Sequence, residues 1–155
     1  MKFLNTSGKE FTLEEVIQEM TGFIKEDDKY DYNVIIGTDS QVYGSRNNFV
    51  TVIMVHRIGK GGRFFYVKNN MIGKLTLYSR LIQETSFSIE IVKAIEESQL
   101  VFLAKNIEVH LDIGHNGKSG KFMKECVAYA KSMGVDCKVK PDGVCASHVA
   151  DKYTR

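Results

Sequence analysis

Val16, Ile17, Met20, Phe23 and Ile24 recur at helical spacing, one apolar stripe in an otherwise polar segment. The spacing predicts an amphipathic helix from Thr12 to about Lys25. Thr12 and Glu15 have capping-box spacing, with Phe11 and Val16 placed as a hydrophobic staple. The period then changes. Asn33–Asp39, Phe49–Arg57 and Arg63–Lys68 read as strands, the last two joined through Gly59-Lys60-Gly61-Gly62 as an antiparallel hairpin. Helical spacing returns from Leu77 to about Ser98, with Leu81, Phe87, Ile91 and Ile95 on its apolar side. A strand over Ile107–Ile113, a loop at Gly114–Gly117 and a helix from about Ser119 to Met133 follow, with Gly134 at the helix end. A short strand, Val135–Val139, and a helical stretch, about Ala146 to Tyr153, complete the order α, βββ, α, β, α, β, α.

Two of these strands run into an aspartate: the Tyr32–Asp39 run and the Ile107–Asp112 run. An acid at the mouth of a buried strand is unfavourable unless a cation balances it. A three-strand meander makes its first and third strands point the same way, and the long helix after the third permits a crossover to a parallel partner. If the strand ending at Asp112 lies beside the first strand, both carboxylates emerge at one sheet edge. Their repulsion then calls for a cation or a retained proton.

Composition bounds what such a site could serve. The 155 residues, 43% hydrophobic and 26% charged, fit one soluble globular domain over 1–155, with residues 1–30 as an N-terminal helical extension. Net charge is only +2, but from Asn116 onward eight Lys/Arg face four acids, either a solvated basic face or a phosphate-facing patch. Cys126, Cys137 and Cys145 lack paired spacing, and the four histidines form no zinc motif with them. Without a signal-like segment or long apolar run, the expectation is a cytoplasmic protein with reduced thiols and no membrane partner.

The element order and four stretches resemble the ribonuclease H-like superfamily, and within it the bacterial family typified by YkuK. The stretches are Val34–Ser40, Gln83-Glu84-Thr85-Ser86, His110–Gly114 and Ala146–Lys152. The resemblance covers about residues 32 to 155. It implies an α/β ribonuclease H-like fold: a mixed five-stranded sheet, three strands in an antiparallel meander plus parallel strands, flanked by helices, with the first helix as an addition. It further implies an acid on the first strand (Asp39), one early in the crossover helix (Glu84, with Glu90 as competitor), one ending the fourth strand (Asp112) and a final acid or histidine on the last helix (Asp151, with His148 as competitor). His148, on the same face as Asp151, would assist proton transfer or product release.

Four carboxylates are hard oxygen ligands and select Mg²⁺ or Mn²⁺, two ions when substrate is bound. The implied activity is metal-dependent phosphodiester hydrolysis in RNA or a nucleic-acid hybrid. Lys118, Lys121 and Lys152 are candidate phosphate contacts, and Ser40 and Asn116 candidate hydrogen-bonding contacts. Two other readings stay open: a nucleotide-binding or phosphotransfer protein, since Asp112–Ser119 resembles a phosphate loop lacking its first glycine, and a non-catalytic nucleic-acid-binding module.

Overall fold

The computed structural model describes residues 1–112 and 120–139. Two very short strands that the sequence pattern did not announce come first, β1 (Phe3–Leu4) and β2 (Glu10–Phe11), paired antiparallel with Phe3 opposite Phe11. Helix α1 (Leu13–Glu26) starts at its capping box: the Thr12 hydroxyl accepts from the Glu15 amide at 3.1 Å, and the Glu15 carboxylate accepts from the Thr12 amide at 2.9 Å. Strands β3 (Tyr32–Tyr43), β4 (Arg46–Arg57) and β5 (Gly62–Ile72) form the meander, followed by α2 (Leu77–Glu96) and a single turn α3 (Leu100–Leu103). Strand β6 (Asn106–His110) comes next. A 3₁₀ turn (Gly120–Phe122) then leads into α4 (Met123–Ser132), and β7 (Cys137–Lys138) ends the described elements.

The sheet order is β2-β1-β5-β4-β3-β6-β7, with β6 parallel to β3 and β7 parallel to β6. The crossover through α2 therefore delivers β6 beside β3, as the long helix required. The five expected strands are β3 to β7; β1 and β2 extend the sheet at the β5 edge, where Leu4 pairs with Tyr66. The core fills one sheet face. Val34 and Ile36 of β3, Ile53 and Val55 of β4 and Val109 of β6 pack there with Val16 and Met20 of α1, Ile91 and Ile95 of α2, and Cys126 of α4.

On that face the apolar column changes character towards the end of β3. Thr38 shares hydrogen bonds of 2.9 Å with Thr51 and with Ser88 of α2, and the next inward residue, Ser40, meets Glu84 one turn earlier on the same helix. Buried hydroxyls are tolerated because they satisfy each other. This polar seam fixes which face of α2 looks at the sheet.

Strand β3 does not stop at Asp39, as the pattern suggested, but runs four residues further to Tyr43, paired with β4 to the tip at Tyr43↔Arg46. Polar residues here hold a ladder rather than mark a turn. Asn47 is fully buried, and its side-chain amide donates to the carbonyls of Met71 (3.2 Å) and Gly73 (2.9 Å), tying β4 to the end of β5. Strand β6 ends at His110, opposite Gly37, so β3 outruns its parallel neighbour.

At the other end of the β4–β5 hairpin, a Cβ on Gly62 would lie 2.4 Å from the Val55 carbonyl oxygen. Backbone there must move to admit it. Gly62→Ala is expected to destabilise the fold by about 2 kcal/mol, read from urea midpoints at unchanged slope.

Candidate acidic site

The last ladder pair between β3 and β6 is Gly37↔His110. Beyond it the Leu111 amide donates to the Lys138 carbonyl at 2.8 Å, which keeps the chain in line past the end of β6. Two residues on lie Asp39, still within β3, and Asp112, past the end of β6. Alternation puts Asp39 on the pleat opposite Thr38 and Ser40. Asp39 is therefore an interior strand residue, 9% exposed, set where its parallel neighbour has ended.

Glu84 comes from the helix side, on the face that Thr38 and Ser40 share. It is 7% exposed, and its Oε2 accepts a 2.5 Å hydrogen bond from the Ser40 hydroxyl. Arg80, one helical turn earlier, donates from Nη1 to the same Ser40 oxygen at 3.2 Å. Burial pushes the Glu84 carboxyl from its ordinary 4.5 up to about 8. The Ser40 bond opposes the rise, the negative charges of Asp39 and Asp112 add to it, and the Arg80 guanidinium offsets part of it. Three acids from β3, α2 and the end of β6 thus sense one another, and the middle one holds a proton at neutral pH when no cation is bound. Glu90, the competitor on the same helix, is exposed.

The other sequence candidates fall elsewhere. Ser40, expected on a nucleic-acid contact surface, is buried, its hydroxyl engaged between Arg80 and Glu84. Lys121 is exposed in the 3₁₀ turn, its ammonium 4.9 Å from the Phe122 ring centre. Asn116, Lys118, His148, Asp151 and Lys152 lie outside the described residues.

Two neighbours of the acids were not singled out from sequence. Arg80 looked like any surface cation on a helix; its only signal was the four-residue spacing from Glu84. His110 was visible only as part of the polar alternation Glu108, His110, Asp112. It is buried, with Nε2 3.0 Å from Glu108, whose other oxygen accepts from Lys138 at 2.8 Å. Burial works to raise the Glu108 carboxyl, but the bonds from Lys138 and His110 outweigh it and hold it below the usual range.

Metal fit rests on donor chemistry. Asp39, Glu84 and Asp112 offer oxygen atoms only, and the buried Glu84 is pushed towards its neutral form first by burial and then by the other two charges. Hard divalent ions suit such a set. Among the described residues no group of three or more His, Cys, Asp or Glu side chains is placed to hold a metal ion. The thiols are unsuited to a zinc role: burial raises both Cys126 and Cys137, the latter to about 12. In a C145S background, iodoacetamide at pH 8 is expected to label Cys126 and Cys137 about 10²-fold more slowly in the native protein than in urea, as followed by mass spectrometry.

Comparison with known proteins bears on what the cluster is. A sequence profile described as Ribonuclease H-like matches residues 15–155, a span that begins within α1. The Bacillus subtilis (strain 168) protein YkuK, described as uncharacterized, is 30% identical over 167 residues, spanning 99% of this chain and 96% of YkuK. Among solved structures, ribonuclease H1 from the halophilic archaeon Halobacterium salinarum aligns with a TM-score of 0.40 and 14% identity, over 77% of this chain and 96% of that one. The N-terminal ribonuclease H domain of a Mycobacterium tuberculosis protein, solved as a fusion with maltose-binding protein, aligns with a TM-score of 0.40 and 10% identity, over 80% of this chain and 94% of that one. Among the described residues no helix is long and apolar enough to cross a membrane.

Proposed function

Because the chain belongs to the ribonuclease H-like family, we propose that it is a metal-dependent nuclease that hydrolyses phosphodiester bonds in RNA or an RNA–DNA hybrid. The observation that carries this reading is the buried Glu84, bonded to Ser40 and raised further by the nearby charges of Asp39 and Asp112, at the place where β3 outruns β6. Family membership makes nucleic acid the substrate class to expect, and the acids supply the chemistry.

Asp39, Glu84 and Asp112 would hold Mg²⁺ or Mn²⁺, with Asp151 as the fourth ligand. When bound with substrate, two such ions would supply Lewis acidity for activating water and stabilising charge at phosphorus. The chain's own residues set the geometry. Asp39 lies in β3 and Asp112 just past the end of the parallel strand β6, so both carboxylates would be offered to a bound phosphodiester at that sheet edge. Glu84 is held by Ser40 on the helix side of the sheet, near enough to feel both charges. In the reaction the water oxygen bonds to phosphorus, and the bond to the leaving oxygen breaks with its electron pair on that oxygen. The leaving oxygen takes up a proton, and the water gives one up. The products are a phosphate monoester end and a hydroxyl end. His148 is the candidate for moving a proton near Asp151, and Asn116, Lys118, Lys121 and Lys152 for meeting the polyanion. The expected compartment is the cytoplasm.

The test is cleavage of a labelled RNA–DNA hybrid and of single-stranded RNA in Mg²⁺ or Mn²⁺, wild type beside Asp39→Asn prepared identically. Full activity in the variant would mean that the cleavage comes from elsewhere and that the reading is wrong.

A further inference from the structure

The geometry points to Arg80 as a catalytic residue: a guanidinium set beside Ser40 and the buried Glu84 to grip the non-bridging oxygens of the phosphate being cut. This rests on the nuclease reading and adds a residue that the acid cluster alone does not require.

Arg80 and Glu84 are one turn apart on α2, so they lie on the same helix face. Arg80 is half-buried, and its one hydrogen bond among the described residues is the 3.2 Å contact from Nη1 to Ser40. A guanidinium has five N–H donors, so four have no protein partner there. Nor does Arg80 pair with a carboxylate within 4.0 Å among the described residues. An arginine serving only to neutralise acids would gain most by fork-to-fork contact with one of them. Here a hydroxyl stands between. Ser40 accepts from Arg80 and donates to Glu84, which holds the cation next to the acids without spending its planar edge on them.

That placement is awkward for one purpose and suitable for another. A fixed positive charge repels divalent cations, so Arg80 works against metal affinity. It favours anything that adds negative charge to the site, and an incoming phosphodiester does so, more strongly as charge builds on its non-bridging oxygens during displacement. A planar, permanently charged fork matches two phosphate oxygens at once, which lysine cannot do. In the step itself Arg80 forms no covalent bond and moves no proton. It donates hydrogen bonds to oxygens that stay on phosphorus.

The sign of its effect on metal binding separates this role from a supporting one. Mn²⁺ affinity without nucleic acid and cleavage rates at saturating Mn²⁺ are compared for wild type, Arg80→Gln and Arg80→Lys, with thermal melts for each. The expected result for Arg80→Gln is Mn²⁺ binding as tight as wild type or tighter, with kcat lowered about 10²-fold. Arg80→Lys should recover part of that loss, and it also serves as the readout if Arg80→Gln melts far below wild type. The assignment is overturned if kcat at saturating Mn²⁺ stays within threefold of wild type. It is equally overturned if the loss tracks weakened Mn²⁺ binding and excess metal restores the rate, since Arg80 would then only be holding Glu84 in place. If Asp39→Asn is as active as wild type, the nuclease reading itself falls and takes this one with it. If Asp39→Asn is dead while Arg80→Gln runs at full rate, only the arginine assignment is lost.

Discussion

Raising the pH from 5 to 8 in EDTA should remove on the order of 4 kcal/mol of folding stability from the wild-type protein and almost none of it from Glu84→Gln. The Glu84 carboxyl moves from 4.5 to about 8 in the fold, first because it is buried and then because Asp39 and Asp112 lie near it. Between those two values the native state keeps a proton that the unfolded chain has released. Stability contributed by that retained proton is fully present below 4.5 and is lost as pH rises through the window. The limiting slope is about 1.4 kcal/mol per pH unit, levelling off above pH 8. Most carboxylates in native proteins give the opposite sign, which makes the direction diagnostic. Urea denaturation at half-unit pH steps measures it. Equal slopes for the two proteins would show that Glu84 does not carry the strain of the site. Gln suits the comparison because it keeps the size of Glu84 and can still accept from Ser40.

Asp39→Asn should lower kcat for phosphodiester cleavage by about 10³-fold, roughly 4 kcal/mol of transition-state stabilisation, with the fold intact. The substitution removes a charge and leaves the shape. It also removes one of the charges that push Glu84 upward, so the variant should melt no lower than wild type at pH 8 in EDTA. A variant that is inactive yet no less stable is the signature of a residue kept for chemistry at the fold's expense. Mn²⁺ should raise the melting temperature of wild type and raise that of Asp39→Asn much less. Cleavage within tenfold of wild type, or a melting temperature well below it, would remove Asp39 from the centre of the site.

Much of this was legible because each signal had a local physical cause. The Thr12–Glu15 box marked a helix start that depends only on neighbours three residues apart. Apolar alternation and the Gly59–Gly62 turn marked the meander, and the long helix made β6 parallel to β3. Asp39 and Asp112 could be set side by side from topology alone. Both Glu84 and Glu90 lie near the helix face that Phe87 and Ile91 define, and preferring Glu84 took the family's helix pattern as well. What escaped lacks a local cause. Strands β1 and β2 have two residues each, too few for a period, and exist because Phe3 and Phe11 find the core. The ladder runs past Asp39 to a tight turn at Gly44-Ser45, where Asn47 ties β4 to the end of β5. Arg80 has no motif at all, and only the Ser40 bond reveals which way it leans.

The small β1–β2 hairpin has a consequence for how the molecule survives in concentrated solution. Strand β5 would otherwise present Phe64, Phe65 and Tyr66 along an unpaired margin, the kind of row onto which another chain can zip. Leu4 takes up a pairing position opposite Tyr66, and Phe11 sets its ring edge-on to Phe65, centroids 5.3 Å apart. The first eleven residues thus act as a guard rail against self-association, a service distinct from anything the acids do. A chain starting at Thr12 should keep its carboxylate cluster while forming oligomers at concentrations where the full chain does not, visible by light scattering.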